Sequence, residues 1–108
     1  MVSQLSNRLL EAEDMGSSFV SEHITLAQRI GFSIHAIFTG APVGSFYLSV
    51  SINGIDWILL PDSTEAITEA GDLFYNVNDS KYLMARLHWS RSSGTGSCDA
   101  FISKKEAI

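Results

Sequence analysis

Cysteine is almost absent from this chain of 108 residues; Cys98 is the one example. A single thiol excludes an intramolecular disulfide and any metal site built from cysteines. Long apolar runs are missing too. None exceeds four residues, as in Trp57-Ile58-Leu59-Leu60, where a helix spanning a bilayer needs about 20. Met1-Val2-Ser3-Gln4 has neither the basic start nor the apolar stretch of a secretion signal, so none is expected. Basic residues are few: seven stand against twelve acidic ones, a net charge of −5. Phosphate binding needs a basic surface, so neither nucleic acid nor membrane is an expected partner. Disorder is excluded by the opposite feature. Hydrophobic residues make up 45% of the chain and charged ones only 18%, enough for one domain with one core.

The charge is unevenly placed. Residues 1–80 carry two basic and ten acidic side chains; residues 81–108 carry five basic and two acidic ones. The first part is therefore negative and the last part positive. A solvated surface accounts for this, and so do complementary faces in an assembly.

Alternation dominates the middle of the chain. Phe32, Ile34, Ala36 and Phe38 alternate with Ser33, His35, Ile37 and Thr39. Phe46, Leu48, Val50 and Ile52 alternate with Tyr47, Ser49 and Ser51. A period of two puts the first set of each on a buried strand face. Gly40-Ala41-Pro42-Val43-Gly44 separates the two runs as a turn segment. Asn53-Gly54 reads as a hairpin turn, with Trp57–Leu60 returning and Pro61 ending that strand.

Toward the C-terminus, Leu83, Ala85, Leu87 and Trp89 alternate with Tyr82, Met84, Arg86 and His88. Ser92-Ser93-Gly94-Thr95-Gly96 forms the next turn, and Ser97–Lys104 returns with Cys98, Ala100 and Ile102 on one face. Phe101 fits either face. Further strands are expected at Phe19–Leu26, Ala66–Thr68 and Leu73–Val77. Short strands divided by turns every ten residues or so indicate an all-β, antiparallel sandwich or barrel. The expected core is Phe32, Ile34, Phe38, Phe46, Leu48, Val50, Trp57, Leu87 and Trp89. Residues 1–16 precede the first clear strand and read as an N-terminal arm, helical or extended, on a sandwich domain of residues 17–108.

Chemistry is thinly marked. His23, His35 and His88 share no ligand spacing, so no metal site is expected. No Gly-x-Ser-x-Gly elbow singles out a nucleophile. Gly94-Thr95-Gly96 has no helix after it, so it lacks the geometry that cradles phosphate. Cys98 sits within an alternating strand and reads as a small core residue. The reading is a protein with no catalytic residues and no cofactor. Tyr47 and Tyr82 lie on outward positions and are the candidate surface aromatics. Leu5, Leu9, Leu10, Glu11, Glu13 and Asp14 are the candidate assembly contacts. In the arm, the leucines have apolar surface to bury on a neighbouring subunit, and the acids can meet its basic C-terminal third. Packing of the same segment on its own sandwich is the alternative.

Val50-Ser51-Ile52-Asn53-Gly54-Ile55-Asp56-Trp57 resembles the V-S-x-D-G-x-x-W hairpin of galactose-binding-like, discoidin-type jelly rolls. Tyr82-Leu83-Met84-Ala85-Arg86-Leu87 resembles their ARYVRL strand. From Ser18 to Lys104 the chain is also similar to small structural proteins of bacteriophage virions. The landmarks are Ser21-Glu22-His23-Ile24-Thr25-Leu26, Gly31-Phe32-Ser33-Ile34-His35, Thr39–Gly44 and Ser92–Gly96. The resemblance implies a jelly-roll-like sandwich in a virion, as a head decoration, head-associated or tail-associated protein. Its partners would be other virion proteins and further copies of itself in a homo-oligomer. The long ligand-carrying loops of discoidin proteins are absent, so sugar and lipid binding are not carried over. The alternative reading is a carbohydrate-binding module that recognises a host-surface glycan.

Burial of Leu48 gives the first test. Leu48→Ala is expected to lower stability by about 2–5 kcal/mol in urea unfolding. An unchanged transition would remove Leu48 from the core.

Overall fold

A computed structural model of the chain describes residues 6–26, 29–78 and 82–106. Ten strands make up the fold: β1 (Ser6–Asp14), β2 (Phe19–Val20), β3 (Ile24–Thr25), β4 (Arg29–Gly40), β5 (Val43–Ser51), β6 (Ile58–Leu59), β7 (Glu65–Ile67), β8 (Gly71–Asn78), β9 (Met84–Ser93) and β10 (Gly96–Glu106). The first sheet runs β1-β10-β4-β8. The second runs β2-β9-β5-β6, with β3 also on β9 and β7 also on β5. Every pairing is antiparallel. If β2 with β3 and β6 with β7 are each taken as one interrupted strand, the chain changes sheet at every step except from β5 to β6, which is the jelly-roll order. The expected sandwich is therefore present, and it is not a barrel.

The alternating residues fill the space between the sheets. Phe32, Ile34, Ala36 and Phe38 of β4 face Phe46, Leu48 and Val50 of β5, all buried. Ala85, Leu87 and Trp89 of β9 and Cys98, Ala100 and Ile102 of β10 complete the layer. Phe46 lies between Phe38 and Trp89, with ring centroids 5.6 and 4.8 Å away. Such tilted pairs add about 0.5–1.5 kcal/mol beyond their burial. The Trp89 indole also donates a hydrogen bond to the Met15 carbonyl.

Leu48 and Leu87 are cross-strand partners at the centre of the second sheet. Their backbone N–H groups point away from each other, into the gaps where the outer strands break. Ser21 fills one gap: its hydroxyl accepts the Leu87 N–H at 2.9 Å, and its own N–H donates to the Leu87 carbonyl. Ser63 fills the other: its hydroxyl accepts the Leu48 N–H at 3.1 Å. The Leu60 N–H donates to the Leu48 carbonyl, and the Tyr75 hydroxyl donates to the Ser63 carbonyl. Both serines are buried. Each supplies an oxygen where a regular neighbouring strand would have placed a carbonyl.

The structure corrects several expectations. Trp57 is half-exposed on the outer face, not in the core. The register pairs Val50 with Ile58 and Ser49 with Leu59, so Trp57 and Leu59 share the outward side with Ser49. Asn53-Gly54 is not a two-residue hairpin. A loop runs from Ser51 to Ile58, held by the Asn53 carboxamide oxygen, which accepts the N–H groups of Ile55 and Asp56. Ile52 lies beyond the end of β5 and is exposed. Phe19–Leu26 is two short strands around the Ser21 break.

β9 and its successor β10 lie in opposite sheets, as do β4 and β5. The two crossings pack together, with the Ala41 N–H donating to the Thr95 carbonyl. Gly94 has a φ of +75°, and a Cβ there would come within 2.0 Å of the Ala41 carbonyl oxygen. Only glycine fits that position.

The division into an arm (1–16) and a sandwich (17–108) does not follow the sheets. Ser6–Asp14 is an edge strand on β10, and Leu10 and Met15 are in the core. The segment packs on its own sandwich because two of its apolar side chains find burial there.

The serine plugs make a sharp test. Removing a hydroxyl leaves a buried N–H without its partner, which costs about 1–3 kcal/mol. Ser21→Ala and Ser63→Ala are each expected to lower stability by that amount in urea unfolding. Exposed Ser92→Ala should stay within about 0.5 kcal/mol of the parent. Equal effects at all three positions would contradict the plug role.

Candidate functional site

The expected assembly residues do not form one patch. Leu5 lies outside the described residues. Leu10 is buried, and Leu9 packs against the core. Glu11 pairs with Arg8 at 3.3 Å on the surface. Asp14 accepts the Gly16 N–H. Glu13 is half-buried, paired in register with Cys98. Phe101 faces outward beneath the Arg8 guanidinium, 5.0 Å from its ring centre.

The two candidate tyrosines are also separate. Tyr82 packs against the core and lines an apolar cleft with Val50, Ile52 and Ile58. Tyr47 lies on the outer face of the second sheet, stacked nearly parallel on His88 with centroids 4.6 Å apart.

That outer face holds the densest group of chemically capable side chains. Arg86 and His88 are two residues apart on β9, so they point the same way. Across the ladder stand Ser49, opposite Arg86, and Tyr47, opposite His88. The Arg86 guanidinium lies 3.9 Å from the centre of the Trp57 ring. His88 Nε2 and the Ser49 hydroxyl share a 2.6 Å hydrogen bond. Burial, with the Arg86 charge adding to it, lowers the His88 pKa, so the imidazole is neutral at neutral pH.

Beyond β9, the break between β2 and β3 raises a wall. The resulting groove is lined by Val20, Ser21, Glu22, His23, Arg86 and His88 and encloses about 640 Å³. Its guanidinium and two imidazoles can hold a planar or ring-shaped polar ligand. Ser49 with His88 is a serine–histidine contact, but Ser49 is buried, and among the described residues no carboxylate bonds to His88. The sequence places Arg86, His88, Tyr47 and Ser49 on outward positions. What joins them is the β5–β9 register, which alternation does not specify. Trp57 was missed because its run was read as a strand facing the core.

No family model matches the chain, and no curated protein matches it significantly. Solved structures do. The SPBc2 prophage-derived protein YomS superposes with a TM-score of 0.61 at 7% identity, over 94% of this chain and 93% of that one. PirA superposes with a TM-score of 0.55 at 10% identity, over 96% and 94%. A chain from Bacillus endospore appendages, described as disulfide-linked pili, gives 0.50 at 8% identity, over 97% and 90%. At such identities the likeness shows a shared fold. The fold of this chain is thus also that of a prophage-derived protein. Disulfide linkage is a different matter, since Cys98 is fully buried on β10.

Burial, then the charges of Asp99 and Glu13, push the Cys98 thiol up to about 12 from its ordinary 9.0. The folded value is the higher one. Stability from the neutral thiol is therefore intact below pH 9.0 and lost as pH rises through about 12. Cys98→Ala is expected to flatten the fall in melting temperature across that window. A thiol reagent should label native protein only at the rate of unfolding. Rapid labelling of the folded state, or an unchanged alkaline slope in the variant, would contradict this placement.

Proposed function

We propose that this chain is a non-enzymatic structural protein of a bacteriophage virion, acting through subunit assembly with copies of itself and with other virion proteins. The observation that carries the reading is a concentration of exposed apolar side chains at one end of the second sheet. Ile52, Ile55, Ile58 and Leu59 are 71, 80, 60 and 54% exposed. All lie within one loop and the edge strand it feeds. Ile52 and Ile58 flank the apolar cleft that Tyr82 lines. Exposed aliphatic side chains grouped in this way mark a surface that another protein covers. The sandwich shared with a prophage-derived protein over nearly the full length of both chains supports the same reading. A head or tail location is equally compatible with it.

A second reading, recognition of a host-surface glycan, has one observation in its favour. Tyr47, Trp57 and His88 gather around Arg86 on the outer face of the second sheet.

Sedimentation velocity tests the assembly reading. The parent is expected to associate as concentration rises, and Ile55→Asp with Ile58→Asp to remain monomeric with an unchanged melting curve. Purified particles should contain the parent in multiple copies. A parent that stays monomeric and is absent from particles would overturn the proposal.

A further inference from the structure

We propose that the groove on the outer face of the second sheet binds a carboxylate-bearing sugar, with the carboxylate on Arg86. The inference rests on the glycan-binding reading and gives that reading a chemical class.

Arg86 carries the argument. Its guanidinium lies over the Trp57 ring, 3.9 Å from the ring centre. A contact with an aromatic ring supplies no acceptor oxygen, so the N–H donors of the fork keep their capacity for an anion. The described residues give Arg86 no carboxylate; the acids that pair with cations are Glu11 and Asp99 with Arg8, and Asp72 with His35. The chain has ten acidic side chains in residues 1–80, yet this arginine is held on an aromatic ring instead. An arginine fixed in orientation with its fork unpaired is prepared for a planar anion, and a carboxylate matches two parallel N–H donors.

The surroundings define the rest of the ligand. His88 is held by the Ser49 hydroxyl and the Tyr47 ring. As a neutral group it offers a hydrogen bond and no second positive charge. Arg86 is the cation of the groove floor and Glu22 on the wall is an anion, so the groove as a whole has no excess of positive charge to hold a polyanion and suits one carboxylate at the fork. Glu22 and His23 on the opposite wall are exposed and supply acceptors and donors for hydroxyl groups. A volume of about 640 Å³ lies within the range of small-ligand sites, roughly 300–1,000 Å³, and fits one or two sugar units. An acidic peptide is less well matched. β9, the strand that carries Arg86 and His88, is paired with β5 on one side and with β2 and β3 on the other, leaving no open ladder along the groove floor for a backbone to join.

Isothermal titration with galacturonic acid and sialyllactose, each carrying one carboxylate, against galactose and lactose as neutral counterparts, tests the proposal on the full chain. Binding of at least one acidic probe is expected, with the neutral probes weaker by about tenfold or more, the discrimination that 1.4 kcal/mol provides. Arg86→Gln should abolish that preference. Arg86→Lys, which keeps the charge and the stem, should weaken acidic binding while leaving the melting curve intact. Trp57→Ala, which removes the ring that holds Arg86, should weaken the acidic probes more than the neutral ones. Neutral sugars binding as tightly as acidic ones would overturn the acidic class while the glycan reading stands. No binding by any probe would overturn both. Polyglutamate binding with the same Arg86 dependence, and no sugar binding, would overturn the sugar and assign the groove to acidic protein.

Discussion

Everything in the second sheet depends on the pairing of Leu48 with Leu87. These residues sit opposite each other on β5 and β9, the two strands that have neighbours on both sides. Their side chains are fully buried against the first sheet. Their N–H groups face outward along the sheet, toward strands that are broken at that level. A buried donor without a partner costs about as much as several exposed contacts can supply. The chain resolves this with Ser21 and Ser63, whose hydroxyls stand in for missing carbonyls. Serine suits the role because its short side chain reaches a backbone donor and its hydroxyl rotates to the required direction. Tyr75 of β8 then ties the Ser63 backbone to the first sheet. The two layers are thus joined by a hydrogen bond as well as by apolar contact.

Much of this fold was legible in the sequence, because burial on one face of a strand enforces a period of two. β4, β5, β9 and β10 obey that rule, and their inward residues follow the alternation through Ile34, Leu48, Leu87 and Ala100. Where local chemistry competes with the period, the pattern fails. Trp57 is large and apolar, so it reads as core, but the loop before β6 sets a register that turns it outward onto Arg86. From Arg8 to Asp14, the part of β1 whose side chains are described, Leu10 alone is deeply buried. Two register shifts and a positive φ at Ala12 erase its alternation, so the segment resembles an arm.

The groove was half legible for a related reason. Alternation states which side of the sheet a residue takes, and Tyr47, Arg86 and His88 were assigned outward on that basis. It says nothing of which strand lies beside which. The β5–β9 pairing joins residues about forty positions apart, and only that register brings Tyr47 onto His88 and Ser49 beneath the same group. Tyr82 shows the converse. The period assigns it outward, but it precedes β9, and its ring packs against the core beside Val50 at the end of the sheet.

The breaks in the outer strands have a further consequence. A long, regular edge strand is a template for unwanted pairing, and natural sheets shorten or bulge their edges to prevent it. Both edges of the second sheet are cut into pieces of two or three residues, at the positions the serines fill. The edge at β1 is bulged twice. These edges offer another chain no regular ladder to continue, so the assembly proposed above would have to use side-chain contacts such as those of Ile55 and Ile58. On the β2–β3 side, the same break lifts Glu22 and His23 beside Arg86 and His88 and forms the wall of the groove. One local device, a serine replacing a carbonyl, satisfies the central strands, blunts the edges and shapes the surface proposed for binding.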